Sequence, residues 1–158
     1  MSKFASKTEV PVEKSKMEIE GIVRRYGADG FMSGWNNEKA TVQFQCQGRH
    51  IRFVMTLPAR DEKRFTEYRL QGGLLRRREP GVALNLWEQA CRQKWRALLL
   101  LVKAKLEAVD AGIATFEEAF FSDIVLPDGR TVYETAREPL ALAYSSGKSV
   151  PMLPGVKG

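Results

Sequence analysis

Between residues 40 and 58 the chain reads "ATVQFQCQGRHIRFVMTLP", and apolar and polar positions alternate along it. Ala40, Val42, Phe44 and Cys46, then Ile51, Phe53, Met55 and Leu57, share one face. Thr41, Gln43, Gln45 and Gln47, then His50, Arg52, Val54 and Thr56, share the other. A period of two predicts two half-buried strands, about 39–47 and 50–57, joined by a tight turn at Gly48-Arg49 and ended by Pro58. "FMSGW", Phe31 to Trp35, predicts a shorter strand before them, and residues 36–38 are turn chemistry. The expected unit is a three-stranded antiparallel meander with one apolar face.

Two stretches follow the helical period instead. Val12, Ile19, Ile22, Val23 and Tyr26 form one stripe on a helix beginning at Pro11. Ser15 with Glu18 reads as a capping box that would start the firm helix, and Gly27 stops it. Leu84, Trp87, Cys91, Trp95, Leu98, Val102, Leu106 and Val109 step by three or four along a second helix of about seven turns, ended by Gly112. This helix is the expected lid for the apolar face of the meander. Leu99, Leu100 and Leu101 widen its stripe, so a C-terminal segment or a second copy of the chain should pack there.

The ends and the middle read differently. Residues 1–10 predict a flexible basic arm. Residues 59–82 show no period, are broken at Gly72-Gly73 and Pro80-Gly81, and predict a mobile basic loop. Thr115 with Glu118 is a capping box opening a short helix through Phe120 and Phe121. "IVLPDGRTV" predicts a compact β-hairpin with Asp-Gly at its turn. Residues 133–147 are helical on either side of Pro139, which should kink or restart the helix. Residues 147–158 predict a tail. The fold class is therefore α+β: one domain, 11–146, with an N-terminal helix, the meander on a long amphipathic helix, and a small C-terminal helix and hairpin subregion.

Composition narrows the function classes. The chain has 158 residues, 44% of them hydrophobic, enough for a packed core. No apolar run is long enough for a transmembrane helix and the start lacks a signal-peptide core, so a cytoplasmic protein is expected. The two cysteines, Cys46 and Cys91, fall on apolar faces and predict buried reduced thiols. The lone histidine, His50, completes no zinc site with them. Residues 1–106 carry 21 Lys/Arg against 11 Asp/Glu, whereas residues 107–158 carry 4 against 8. A basic body with an acidic end fits a binder of polyanions, and it equally fits two halves that pair in the fold.

No pattern predicts catalysis, a metal or a cofactor. His50 has no fixed partner nearby in sequence. Asp61-Glu62 and Glu117-Glu118 are adjacent pairs that splay apart, and no phosphate-cradling glycine motif occurs. Three basic features remain. On the long helix, Arg92, Lys94, Arg96, Lys103 and Lys105 lie between Glu88 and Glu107 in a stretch free of acids, which gives up the mixed-sign i,i+4 pairs of a purely structural helix. On the polar ribbon face, Gln43, Gln45, His50 and Arg52, with Arg49 at the turn, offer hydrogen bonds to phosphates, sugars or bases. In the 59–82 segment, Arg64, Arg76, Arg77 and Arg78 would add affinity by counterion release. Phe65, Tyr68 and Trp35 are the candidate stacking aromatics. Solvated surface, or lysine and arginine stems covering the core edge, fits each feature as well. Their agreement in sign points to nucleic acid.

The runs "VPVEKSKMEIEGIVRRYGA", "WEQACRQKWRALLLLVKAKLEAVDAGIATFEEAF" and "IVLPDGRTV" resemble a family of uncharacterised proteins encoded by bacteriophages and prophages, which implies a bacterial host cytoplasm. In element order alone, the chain resembles the β-β-β-α core of phage single-strand annealing proteins. That resemblance implies a basic groove holding single-stranded DNA by its backbone, ring or filament assembly, and roles for Arg52, Arg76, Arg77, Arg78, Arg92 and Arg96. The expected function is backbone binding of single-stranded DNA or RNA, with strand annealing as its extension. The rival is a protein-binding inhibitor or regulator of a host defence or replication protein. A homo-oligomer would form through Leu99, Leu100 and Leu101, and no membrane partner is expected.

Overall fold

The computed structural model of the chain describes residues 8–36, 38–153 and 155. The first helix, α1, spans Val12–Arg25, and three strands follow: β1 Gly30–Asn36, β2 Lys39–Cys46 and β3 Arg49–Thr56. They form an antiparallel meander in the order β1-β2-β3. The pairs Phe31–Phe44, Val42–Phe53 and Phe44–Ile51 keep the apolar positions in register on one face. A slip by one residue would turn that whole set to water. The β2–β3 turn sits at Gln47-Gly48, one residue before its expected place. Both residues have positive φ, 51° and 72°, as a tight primed turn requires.

The expected lid is present and longer than its apolar stripe. The helix α3 runs Pro80–Asp110 over 31 residues. Pro80 at its first position supplies the φ a helix needs and lacks only an N–H that would have no intrahelical partner. Trp95, Leu98, Leu99, Val102 and Leu106 of α3 join Ile19, Ile22 and Val23 of α1 over Val42, Phe44, Ile51 and Phe53 of the sheet. Each such side chain contributes roughly 1.5–3 kcal/mol by leaving water. Gln89 meets Thr8, Lys16 lies over Trp95, and Arg96 meets Glu18, so α1 and α3 run parallel. Ser15, expected as a cap, is instead buried in the first turns of α1 with its hydroxyl unpartnered; the helix starts after Pro11 without a side-chain cap.

Residues 59–82, expected as a loop without elements, carry secondary structure. The chain forms a one-turn helix α2, Lys63–Thr66, then the strands β4, Glu67–Arg69, and β5, Leu75–Arg77. β4 and β5 make a separate two-stranded hairpin. Gly72 and Gly73 turn it with φ of 98° and 88°, which is why two glycines stand there. Phe65 anchors the segment by burying itself in α2, which packs on α3. Arg78 N–H donates to Thr66 O at 2.7 Å and closes the base of the hairpin.

Beyond α3, the capping box at Thr115 opens α4, Phe116–Phe120, followed by a 3-10 turn at Phe121–Asp123. Phe120 meets Phe44 edge-on at 5.8 Å and Phe116 at 4.7 Å, which seals the far end of the core. The expected "IVLPDGRTV" hairpin is reduced to two single bridges, Val125–Thr131 within it and Ile124–Ile51 to the edge of β3. The last helix, α5, spans Val132–Ser146 and continues through Pro139. Only Val132 of α5 is buried, while Tyr133, Leu140, Leu142 and Tyr144 face solvent. Residues 1–7 of the expected arm, and 154 and 156–158 of the expected tail, lie outside the described residues. Both cysteines are buried free thiols, as expected. No described helix is long and apolar enough to cross a membrane.

Candidate nucleic-acid interface

The expected basic residues do not meet in one groove. Gln43, Gln45 and Arg52 share the outer face of the sheet with His50. There His50 Nε2 lies 2.7 Å from Gln43 Oε1, and Arg52 donates to Gly129 O at 2.7 Å and to Glu134 Oε2 at 3.2 Å. Arg49, beside the β2–β3 turn, is paired with Glu117 at 2.7 Å. On the flank of α3, Arg96 is paired with Glu18 at 3.3 Å. Acids from α1, α4 and α5 thus reach three of the expected contacts.

At the other end of the sheet the arrangement differs. β3 leaves it through Leu57–Arg60, and Trp87 of α3 fastens that exit by donating to Pro58 O at 2.7 Å. The eight-residue β3 spans about 26 Å, so Arg49 and the exit sit at opposite ends of the strand. Beyond this exit the chain carries Arg60, which lines the same groove as Pro58 and Trp87, then Lys63 and Arg64 on α2 and Arg69 and the arginines of the β4–β5 hairpin. Arg64 is held by Glu62 at 2.6 Å. Glu62 also accepts the Ala59 N–H, and that backbone bond, helped by Arg64, holds its carboxyl below the usual range.

The hairpin itself carries the freest cations. Arg77 stands opposite Glu67 and Arg76 opposite Tyr68 in its register. Neither Arg76 nor Arg77 has a hydrogen-bond or ion-pair partner among the described residues. Arg78 donates to Glu67 O at 3.2 Å and lies over the Tyr68 ring at 5.5 Å. Tyr68, Arg76 and Arg78 share one side of the ribbon, because side chains two apart on a strand point the same way. Leu74 and Leu75 beside the turn are exposed as well. On α3, Lys94 is exposed and sits close enough to Glu62 to help hold it ionised. Lys103, nine residues on, stays exposed on the shaft of the helix.

A groove adjoins this exit, with a volume of about 790 Å³. All three tryptophans of the chain line it: Trp35 from β1, and Trp87 and Trp95 from α3. The Arg60 guanidinium lies 4.3 Å from the Trp87 ring and the Lys16 ammonium 4.8 Å from Trp95. Arg92, another expected contact, also lines it, bonded to Gln89 Oε1 at 2.6 Å. Glu13, Glu38 and Glu88 balance these cations. Burial pushes the thiol of Cys91, at the groove wall, above its usual range. Trp35 is 73% exposed, Tyr68 is exposed, and Phe65 is buried, which removes it as a stacking surface.

Sequence reading did not single out Arg60 or Lys16, which line the groove. Lys16 had a local signal: four residues after Val12 and three before Ile19, it stands on the apolar stripe of α1. Among the described residues, no group of three or more His, Cys, Asp or Glu side chains is placed to hold a metal ion. No protein-family model, curated protein or solved structure matches the chain.

Proposed function

We propose that the chain binds single-stranded nucleic acid, DNA or RNA, through its sugar–phosphate backbone, in a bacterial cell carrying a phage. One observation carries this reading. Arg76 and Arg77 project on a two-stranded ribbon with no partner of their own among the described residues, while Arg49, Arg52 and Arg96 are each held by a carboxylate. Unpaired guanidinium groups on a projecting element are available to neutralise phosphates. Tyr68 beside them offers a ring on which a base can stack without regard to sequence. Strand annealing is the extension of this activity. The test is fluorescence anisotropy with labelled oligonucleotides, single against double strand, over a salt series. Failure to bind either form at low salt would end the reading.

A second reading rests on α5. Leu140, Leu142 and Tyr144 project from a helix whose second half buries nothing. Exposed apolar helix faces of this kind suit a protein partner, and an inhibitor or regulator of a host protein would use one. A chain that ignores oligonucleotides and loses capture of one host protein on Leu140→Asp with Tyr144→Asp would favour it.

A further inference from the structure

We propose that β1 is a self-recognition edge: two copies of the chain pair antiparallel about Ser33 and join their meanders into one six-stranded sheet. The two edges of the meander are treated differently. On β3, Val125 N–H donates to His50 O at 2.8 Å, Ile124 bridges Ile51, and Arg52 reaches over to Gly129 O. On β1 the outer edge has no strand partner among the described residues.

Its sequence also lacks the usual protections. "GFMSGWN" contains no charge and no proline over seven residues. Edges meant to stay single carry lysines, prolines or bulges, because unpaired N–H and C=O groups recruit another strand. Met32 and Trp35 on this edge are both largely exposed.

The strand is complementary to itself. Ser33 is its centre, so an antiparallel pair about that residue engages all seven positions. Met32 then faces the partner's Gly34, large against small, on the outer side of the sheet. Phe31 faces the partner's Trp35 on the inner side, twice per dimer by symmetry. Cross-strand aromatic pairs are among the stabilising ones.

A hollow stands where that indole would arrive. It has a volume of about 220 Å³, lies between α1 and β1, and is lined by Val23, Ala28 and Phe31 with Glu20 and Arg24 at its rim. The occupant is a second copy of the chain because the strand, its register and the hollow each supply the other's complement. Leu99, expected at a subunit interface, is fully buried in the core and is unavailable for one.

The test uses the full chain without nucleic acid, so it stands apart from the proposed function. Sedimentation equilibrium should give a dimer. Trp35→Ala should raise its dissociation constant by at least about 30-fold, the scale of a lost interface anchor. Because Trp35 is exposed, the monomer fold should survive, as far-ultraviolet circular dichroism will show. Met32→Lys should act in the same direction by placing a charge on the edge. Ser33→Cys should form an intermolecular disulfide under diamide, since Cys46 and Cys91 are buried and do not compete. Leu142→Cys, on α5, should not cross-link at the same concentration. A monomer at all concentrations overturns the proposal. So does a dimer that Trp35→Ala leaves intact, or one that cross-links at 142 and not at 33.

Discussion

Neutralising the hairpin arginines should change not only how tightly a nucleic acid binds but how steeply salt weakens it. The segment from Arg60 to Arg78 holds seven basic side chains, and among the described residues Arg64 alone of them is in an ion pair. Six cations are left to face phosphates. Single strands release counterions with a slope of about −0.7 per phosphate neutralised, so affinity should fall roughly 300-fold between 50 and 200 mM salt. Removing two contacts with Arg76→Gln and Arg77→Gln should flatten that fall to about 50-fold. Asp61 and Glu67 lie on the same segment, with Glu79 just after it, and they trim both figures in the same direction. Neither arginine has a hydrogen-bond or ion-pair partner among the described residues, so stability should stay within about 0.5 kcal/mol of the parent chain. The assay is anisotropy of a labelled single strand at four or more salt concentrations, with urea unfolding alongside. Equal slopes for parent and variant would refute the reasoning, because the hairpin would then not be the phosphate contact. An equal effect from neutralising Lys103, on the shaft of α3, would refute it too.

Other consequences are equally direct. Leu99→Ala should cost about 2–5 kcal/mol in urea unfolding, whereas Leu101→Ala, two residues on and 45% exposed, should cost under about 0.5 kcal/mol; similar losses at both would contradict the packing described. Thr131→Ala removes the hydroxyl that accepts the Glu134 N–H at 3.1 Å and should cost about 1 kcal/mol, with α5 exchanging its amide hydrogens first; uniform protection across the chain would argue against a weakly held α5. Burial raises the Asp123 carboxyl above its usual range, against the pull of Lys105 at 3.2 Å. At this site the folded chain therefore holds more protons than the unfolded one just above the ordinary aspartate value, so the contribution of Asp123 to stability should fall as pH rises through that window, opposite in sign to that of Glu62. Asp123→Asn should flatten this part of the pH–stability curve, and an unchanged curve would show that Asp123 does not cause it.

Sequence alone revealed the elements whose two sides differ. β2 and β3 alternate because one face is covered and the other wet, and α3 repeats its stripe because one side lies on the sheet. The β4–β5 hairpin was not legible for the same reason in reverse. Its strands are three residues long and exposed over almost every position, so no alternation marks them. The start of α3 had a signal in Pro80, read as a break when it is a first-turn residue. Ser15 and Glu18 have cap spacing, but the helix begins earlier and carries Ser15 inside. The candidate contacts failed to converge because their partners are distant in sequence. Glu117 takes Arg49, Glu134 takes Arg52 and Glu18 takes Arg96, at separations of 68, 82 and 78 residues. Local spacing carries no trace of such pairings.

The gathering of every indole at one end has a practical consequence for anyone who follows this chain by light. Ultraviolet emission will report the hinge between the sheet exit and the head of α3, and will say little about α4 or α5. Melting curves read by emission and by amide circular dichroism should therefore separate if the C-terminal helix lets go first. A single optical probe would register that chain as intact while one end of it had already come undone.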